Sequence, residues 1–185
     1  MANRNNHYER ALAVHLRSMR RACIPVDESR RPWLDGESLK SLDFIVAADA
    51  GRLLLIDVKG RKLSRRRATR ETWATRDDVQ SLRRWERRFG PSAVALLVFV
   101  YLMDDESRAG AFVDLVQSEN RTYGVLAVAL RDYEARMRVR SPRWSTVWLA
   151  RSDFAEVARP LSHWLDFAPR PPSPTGRAAA SGVGG

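Results

Sequence analysis

The order of apolar patterns along the chain predicts an α/β or α+β fold, with one central sheet and helices packed around it. Helical spacing of apolar residues alternates with runs of leucine and β-branched residues in the order helix, strands, helix, strands, helix. The chain has 185 residues, 44% of them apolar, which is enough for one core and too few for two. We therefore predict one domain over residues 1–167. Residues 168–185 are rich in Pro, Gly and Ala, and we expect them to form a disordered tail.

The first half of the predicted fold is a helix followed by a hairpin. Apolar residues at helical spacing predict a helix over residues 5–23, which ends before Pro25 because the residue preceding a proline avoids the helical conformation. Residues 39–46 and 53–58 are apolar on both faces, so we predict two strands in the middle of a sheet. Asp49-Ala50-Gly51 between them predicts a tight turn, in which the glycine accepts a left-handed conformation.

The second half of the predicted fold begins with a well-delimited helix. Thr75 is a suitable N-cap, acidic residues follow in the first turn, and Gly90-Pro91 ends the helix. Residues 93–103 form the longest apolar run and predict a buried strand, because they are too few to span a membrane. The remaining predicted elements are a hairpin of residues 112–117 and 122–129, a short helix at 131–138, a strand at 146–150 and a helix at 152–167.

The charge of the chain bears on its partners. A net charge of +10 and a pI of about 10.8 indicate an anionic partner, for which nucleic acid is the first candidate. The alternative is a general preference for arginine, since only three of the 32 basic residues are lysines. Cys23 is the only cysteine, so the sequence carries no internal disulfide framework. With no signal peptide visible either, we expect a cytoplasmic location and no membrane partner.

The pairing register of the hairpin brings three charged side chains together. A three-residue turn pairs Ala48 with Arg52, and the same register then places Asp43 opposite Asp57. Directly opposed residues of an antiparallel pair point to the same face of the sheet. Lys59 lies two residues beyond Asp57, so its side chain leaves from that face as well. The sequence thus predicts two carboxylates and an ammonium at one end of a central hairpin.

Two facing carboxylates in an apolar environment repel each other, and a divalent cation would remove the conflict. Carboxylate oxygens are the ligands that Mg²⁺ and Mn²⁺ prefer, and the carbonyl of Val58 offers a further oxygen. Such a metal would activate a water for attack on a phosphodiester, while Lys59 would orient that water or offset the charge of the transition state. The alternative is a structural ion pair between Asp57 and Lys59, without catalysis.

These residues carry a family resemblance. Asp43, followed after an apolar strand by Asp57-Val58-Lys59, resembles the motif of the PD-(D/E)XK nuclease superfamily, although Leu42 replaces the usual proline. The resemblance implies a restriction-endonuclease-like core, with a central mixed sheet flanked by helices on both faces. It also implies a Mg²⁺- or Mn²⁺-dependent nuclease that hydrolyses DNA phosphodiester bonds, with Asp43, Asp57 and Lys59 as catalytic residues. By analogy with other members, a homodimer is expected.

Two further site residues follow from the resemblance. Glu9 on the first helix matches a glutamate that often contributes to the metal site, and an ordinary surface position is the alternative. The implied metal ligands are therefore Glu9, Asp43, Asp57 and the carbonyl of Val58. Gln80 matches an auxiliary glutamine on the helix after the motif. His7-Tyr8-Glu9-Arg10-Ala11 also resembles the opening of the uncharacterised bacterial HYExAFE family.

Basic and aromatic residues supply candidates for contacts with nucleic acid. Trp73 and Trp144 lie outside the helix stripes, so each either stacks on a base or packs inside. A catalytically inactive nucleic-acid-binding module of the same fold is the alternative function, and a component that only assembles with partner proteins is a third. The predicted phosphate contacts, for which a merely solvated surface is the alternative, are Arg65, Arg66, Arg67, Arg70 and Arg84.

Overall fold

A computed structural model of the protein describes residues 6–27, 33–34, 37–63, 70–104 and 106–166. The predicted tail lies outside these residues, as do Arg65, Arg66 and Arg67. The helices are α1 (His7–Ser18), α2 (Arg76–Phe89), α3 (Leu130–Arg136), α4 (Arg151–Val157) and α5 (Leu161–Leu165). The strands are β1 (Cys23–Pro25), β2 (Trp33–Leu34), β3 (Glu37–Ser38), β4 (Phe44–Ala47), β5 (Leu53–Leu63), β6 (Ala74–Thr75), β7 (Ala93–Met103), β8 (Asp114–Ser118), β9 (Arg121–Ala129), β10 (Arg138–Ser141) and β11 (Thr146–Trp148).

A six-stranded mixed sheet of order β1-β4-β5-β7-β9-β8 forms the centre of the fold. The central strands β5 and β7 are parallel and are connected through α2, whereas the other neighbours are antiparallel. A three-stranded sheet of order β10-β11-β6 and the pair β2-β3 lie outside it. No helix in the part of the chain that the structure describes is long and apolar enough to cross a membrane.

Alternate residues of β5 pack into two separate cores, one on each face of the sheet. Leu55 lies in a core with side chains from α2, α3 and α4, including Leu82. Ile56 lies in the other core, with side chains from α1 and α5, including Leu12. Helices therefore cover both faces of a central mixed sheet, as the sequence predicts.

The hairpin of β4 and β5 has the predicted register over its length. The Ala48 N–H donates to the Arg52 carbonyl at 2.9 Å, and the pairing continues to Phe44 opposite Ile56. Ala50 (φ 58°) and Gly51 (φ 69°) both adopt left-handed conformations in the turn. This agreement means that the face on which each β5 side chain lies follows from the turn.

The regular pairing of β4 with β5 ends at Phe44 and Ile56, one residue before Asp43 and Asp57. The predicted direct pairing of these two aspartates is therefore corrected. The Asp43 N–H donates to the Ile56 carbonyl at 2.8 Å, so Asp43 does not continue the regular ladder to stand opposite Asp57. The Asp43 carbonyl accepts a hydrogen bond from the Val26 N–H at 2.9 Å. The bond to Ile56 is one residue out of register with the β4–β5 ladder, as in a β-bulge, whereas the bond from Val26 continues the regular pairing of β1 with β4.

Several element boundaries differ from the sequence prediction, and for three of them the structure gives the physical reason. Helix α1 ends at Ser18 rather than near 23, because Arg20 adopts a left-handed conformation (φ 54°). Strand β5 continues to Leu63, because β7 pairs with it along its whole length. The predicted last helix is divided into α4 and α5: Arg159 pairs with Ala127 of β9, and Pro160 cannot continue a helix.

Gly60 lies where α1 crosses β5, one residue after Lys59. A Cβ atom at Gly60 would overlap the ring of Tyr8, which packs directly on the glycine backbone. The first turn of α1 is thereby held against the strand that carries Asp57 and Lys59.

We predict that Gly60→Ala lowers the free energy of unfolding by about 1–3 kcal/mol, because the Tyr8 ring must move out of a packed position. Gly110→Ala is the matched control, since a Cβ there meets no atom within 4 Å. Denaturant unfolding of both variants checks this. Equal stability of Gly60→Ala and wild type would contradict it.

Candidate active site

Strand β5 places Asp57 and Lys59 on the face that α2 covers. The two residues are 6% and 8% exposed, so both charges are buried. The Lys59 Nζ lies 2.9 Å from Asp57 Oδ1 and 2.8 Å from Oδ2. The shared face predicted from their spacing is present, and the two residues form a close ion pair.

Asp78 in the first turn of α2 is a further member of this cluster that the sequence did not identify. Its Oδ2 lies 2.9 Å from the Lys59 Nζ, and Lys40 pairs with its Oδ1. Asp78 also forms a capping box with Thr75: the Thr75 N–H donates to Asp78 Oδ2 at 2.8 Å, and the Asp78 N–H donates to Thr75 Oγ1 at 3.0 Å. The Thr75-x-x-Asp78 spacing was the available signal. It predicts the cap, but not the contact with β5.

The ionisation of the cluster follows from burial and from the two ammonium groups. Burial raises the pKa of Asp57, and the charge of Asp78 adds to this against the opposing charge of Lys59. Burial also acts to raise the pKa of Asp78, but Lys59 and Lys40 outweigh it, so that pKa is lowered. Burial acts to lower the pKa of Lys59, but the two aspartates outweigh it, so that pKa is raised. Lys59 is therefore a cation at neutral pH, and Asp57 is the carboxylate that takes a proton more readily.

Asp43 reaches the charged motif on β5 through its side chain. Its buried carboxylate accepts a hydrogen bond from the Val58 N–H, the amide between Asp57 and Lys59 in sequence. Asp43 therefore meets the backbone of the motif, while Asp57 and Lys59 meet each other. The described contacts gather all three predicted catalytic residues around one short segment of β5.

The fit of these residues to a divalent cation is partial. Asp43 and Asp57 supply the oxygen donors that Mg²⁺ prefers. However, no three His, Cys, Asp or Glu residues within the described ranges lie together in a way that could hold a metal ion. Glu9 lies on α1, which packs on the sheet face opposite to α2, and its carboxylate accepts a hydrogen bond from Asn6 Nδ2.

The other predicted residues are not part of the buried cluster. Gln80 and Arg84 are exposed on α2. Arg70 is half-buried: its Nη2 donates to the Ala111 carbonyl at 3.3 Å, and its Cζ lies 4.8 Å from the centre of the Phe112 ring. It lines a cavity of about 480 Å³ together with two further arginines, Arg108 and Arg151. Their contacts with nucleic acid stay predictions.

Comparison with known proteins adds one finding. No family model matches the chain, and a search of curated proteins finds no match either. The chain is similar to a solved structure of Hjc, a Holliday junction resolvase from the archaeal hyperthermophile Archaeoglobus fulgidus, with a TM-score of 0.53 and 14% sequence identity. The similarity covers 87% of this chain and 99% of the resolvase chain. The chain therefore has the same fold as this resolvase. This confirms the restriction-endonuclease-like fold class, whereas the resemblance to the HYExAFE family has no support.

The opposite pKa directions of the two aspartates give a test of the cluster. We predict that Asp78→Asn lowers the free energy of unfolding at pH 7 by about 1.5–3 kcal/mol, because it removes buried hydrogen bonds between charged groups. Asp57→Asn, measured without metal, is expected to be no less stable than wild type, because the ionised Asp57 is disfavoured by burial. Denaturant unfolding in EDTA checks both. A large loss in Asp57→Asn would identify Asp57–Lys59 as a purely structural pair.

The cluster also predicts a dependence on pH. The lowered pKa of Asp78 means that its contribution is fully present above about 3.8, the ordinary value, and is lost as the pH falls further. The stability difference between wild type and Asp78→Asn should therefore shrink below about pH 4. Unfolding curves of both proteins between pH 2 and pH 7 measure it. A constant difference over this range would contradict the assigned pKa direction.

Proposed function

We propose that the protein is a metal-dependent nuclease that hydrolyses DNA phosphodiester bonds at a site formed by Asp43, Asp57 and Lys59. The observation that carries the proposal is the convergence of two buried carboxylates and a buried ammonium on one segment of β5. The resolvase-like fold supports it, because a nuclease is known with this arrangement of strands and helices. By its name that relative acts on Holliday junctions, so branched DNA is the first substrate to test.

Each residue has a distinct role in this proposal. Asp43 and Asp57, with the Val58 carbonyl, would hold a Mg²⁺ or Mn²⁺ ion. The expected ligand Glu9 lies on α1, across the sheet from Asp57, so it is left out of this ligand set. Such an ion supplies a bound water of lowered pKa and polarises the phosphate. Lys59 stays protonated because of its raised pKa, so it is suited to donate hydrogen bonds to a phosphate oxygen and unsuited to act as a base. Gln80 would be an auxiliary residue of the site.

Arginines would supply the affinity for the DNA backbone. A protein of net charge +10 attracts a polyanion irrespective of sequence. Arg70 and Arg84 would contact phosphates, together with Arg65, Arg66 and Arg67. Among the residues that the structure describes, the cavity beside Arg70 is lined by arginines and by no acidic side chain. Its positive charge favours the binding of an anion.

A second candidate function is a nucleic-acid-binding module without catalysis. The charges of Asp57 and Asp78 are already balanced by Lys59 and Lys40. The recess that Asp57 and Asp78 line with Trp85 leaves no space for a water molecule. A closed, neutral cluster of this kind is what a structural role requires.

We predict that the protein cleaves plasmid, linear or branched DNA in the presence of Mg²⁺ or Mn²⁺ and that EDTA abolishes cleavage. Asp57→Asn and Lys59→Ala should reduce the rate at least about 100-fold, because each removes charge stabilisation of the transition state. Asp77→Asn is the matched control, since Asp77 is an exposed neighbour of Asp78 on α2. Gel assays with all four proteins measure this. Binding without cleavage by the folded wild type, on every substrate, would favour the inactive module.

Metal binding can be tested separately from activity. We predict that Mn²⁺ raises the thermal midpoint of the wild type, because a ligand that binds only the folded state stabilises it. The increase should disappear in Asp57→Asn and persist in Asp77→Asn. Differential scanning fluorimetry with a Mn²⁺ titration measures it. An equal increase in both variants would place the ion elsewhere on the surface.

A further inference from the structure

The turn between β10 and β11 carries a solvent-exposed tryptophan. Trp144 is 69% exposed, although its backbone is well fixed. The Ser145 N–H donates to the Pro142 carbonyl at 3.1 Å, and the Trp144 N–H donates to Ser141 Oγ at 3.4 Å. This hydrogen-bonded turn therefore exposes a large aromatic ring, most of whose apolar surface is not buried within this chain.

The surroundings of Trp144 are positively charged. The Cζ of Arg143 lies 5.3 Å from the centre of the Trp144 ring. Arg138 and Arg140 are exposed on β10, and residues 138–148 include no acidic residue. Arg138 Nη2 donates to Asp153 Oδ2 at 3.0 Å, so the cations that matter for an anionic partner are Arg140 and Arg143. An exposed aromatic ring among arginines has the chemistry of a surface that binds a flexible polyanion with flat, stackable groups.

Trp73 provides a contrast within the same region. The Cζ of Arg61 lies 3.9 Å from the centre of its ring, and that of Arg140 lies 5.1 Å away. Its Nε1–H donates to Glu71 Oε2 at 3.2 Å. Two arginines thus already lie over the Trp73 ring, and Trp73 is half-buried. Of the two tryptophans that the sequence left undecided, Trp144 is therefore the one with the more accessible ring.

The turn is tied to the candidate active site. The Ser145 carbonyl accepts a hydrogen bond from the Arg76 N–H at 2.8 Å, and Thr146 pairs with Thr75. Arg76 is the first residue of α2, and Asp78, two residues later, contacts Lys59. A strand of nucleic acid that contacts the β10–β11 turn is therefore close to the β5 cluster.

We propose that Trp144 is a stacking platform for an unpaired nucleobase of single-stranded or branched nucleic acid. Bases inside a duplex are covered by their neighbours, so only an unpaired base offers its face to the ring. The neighbouring arginines contact the phosphates on either side of that base. That the nucleic-acid backbone also reaches Asp57 and Lys59 rests on the proposed nuclease function. The stacking of a base on Trp144 does not depend on that function.

The test is equilibrium binding by the full chain, measured as fluorescence anisotropy of labelled oligo(dT), oligo(U) and a blunt duplex, in EDTA. Trp144→Ala should weaken binding to the single strands about 5- to 150-fold, the range that stacking of one base contributes. Trp144→Phe should restore binding to within about threefold, because phenylalanine keeps an aromatic face. The two single strands separate DNA from RNA as the source of the base.

Trp148→Ala is the matched control, because Trp148 is a partly exposed tryptophan (38%) on the same hairpin. Its single-strand affinity should equal that of the wild type, and duplex affinity should change little in any variant. An unchanged affinity in Trp144→Ala, an equal loss in Trp148→Ala, or an equal loss on the duplex would overturn the proposal. A loss of self-association without a change in oligonucleotide binding would instead identify a protein interface. Because binding is measured without metal, failure of the stacking proposal and absence of cleavage are separate outcomes.

Discussion

The ammonium of Lys59 between the carboxylates of Asp57 and Asp78 is the contact on which the arrangement around β5 depends. A buried carboxylate is costly unless a cation and hydrogen-bond donors compensate it. Lys59 compensates the burial of the Asp57 charge, and it also contacts Asp78 at the start of α2. Through the capping box with Thr75, the same contact fixes the position of β6 and of the small sheet that carries the β10–β11 turn.

This arrangement links stability and chemistry in one cluster. Lys59 is a cation at neutral pH, because its pKa is raised, and it contacts the carboxylates of Asp57 and Asp78. A phosphate group offers the same kind of partner, so a substrate can take a place that a carboxylate holds in the free protein. Asp57 is the carboxylate that ionises less readily, and it is therefore the one whose charge gains most from a new cation. In the proposed function, Lys59 would contact a phosphate oxygen in place of one of its carboxylate partners.

Local chemistry made much of the fold and part of the site predictable from the sequence alone. The turn at residues 49–51 sets the hairpin register, because Gly51 accepts a left-handed conformation. The Thr75 cap and Gly90 delimit α2 as expected. Alternation along β5 places Asp57 and Lys59 on one face, since side chains of a strand point to opposite faces in turn. Each of these features depends on interactions between residues close together in the chain.

Which residues distant in sequence contact the β4–β5 hairpin was decided only by the tertiary structure. Asp78 has a complete local explanation as a capping residue, and its contact with Lys59 exists because α2 packs on β5. The regular β4–β5 ladder ends before Asp43, where the Asp43 N–H bonds to the Ile56 carbonyl one residue out of register. The sequence alone determined the strand that carries the charged motif and the face on which it lies. The partners of those charges, and the exposure of Trp144, depend on segments far apart in the chain, whose positions no local pattern encodes.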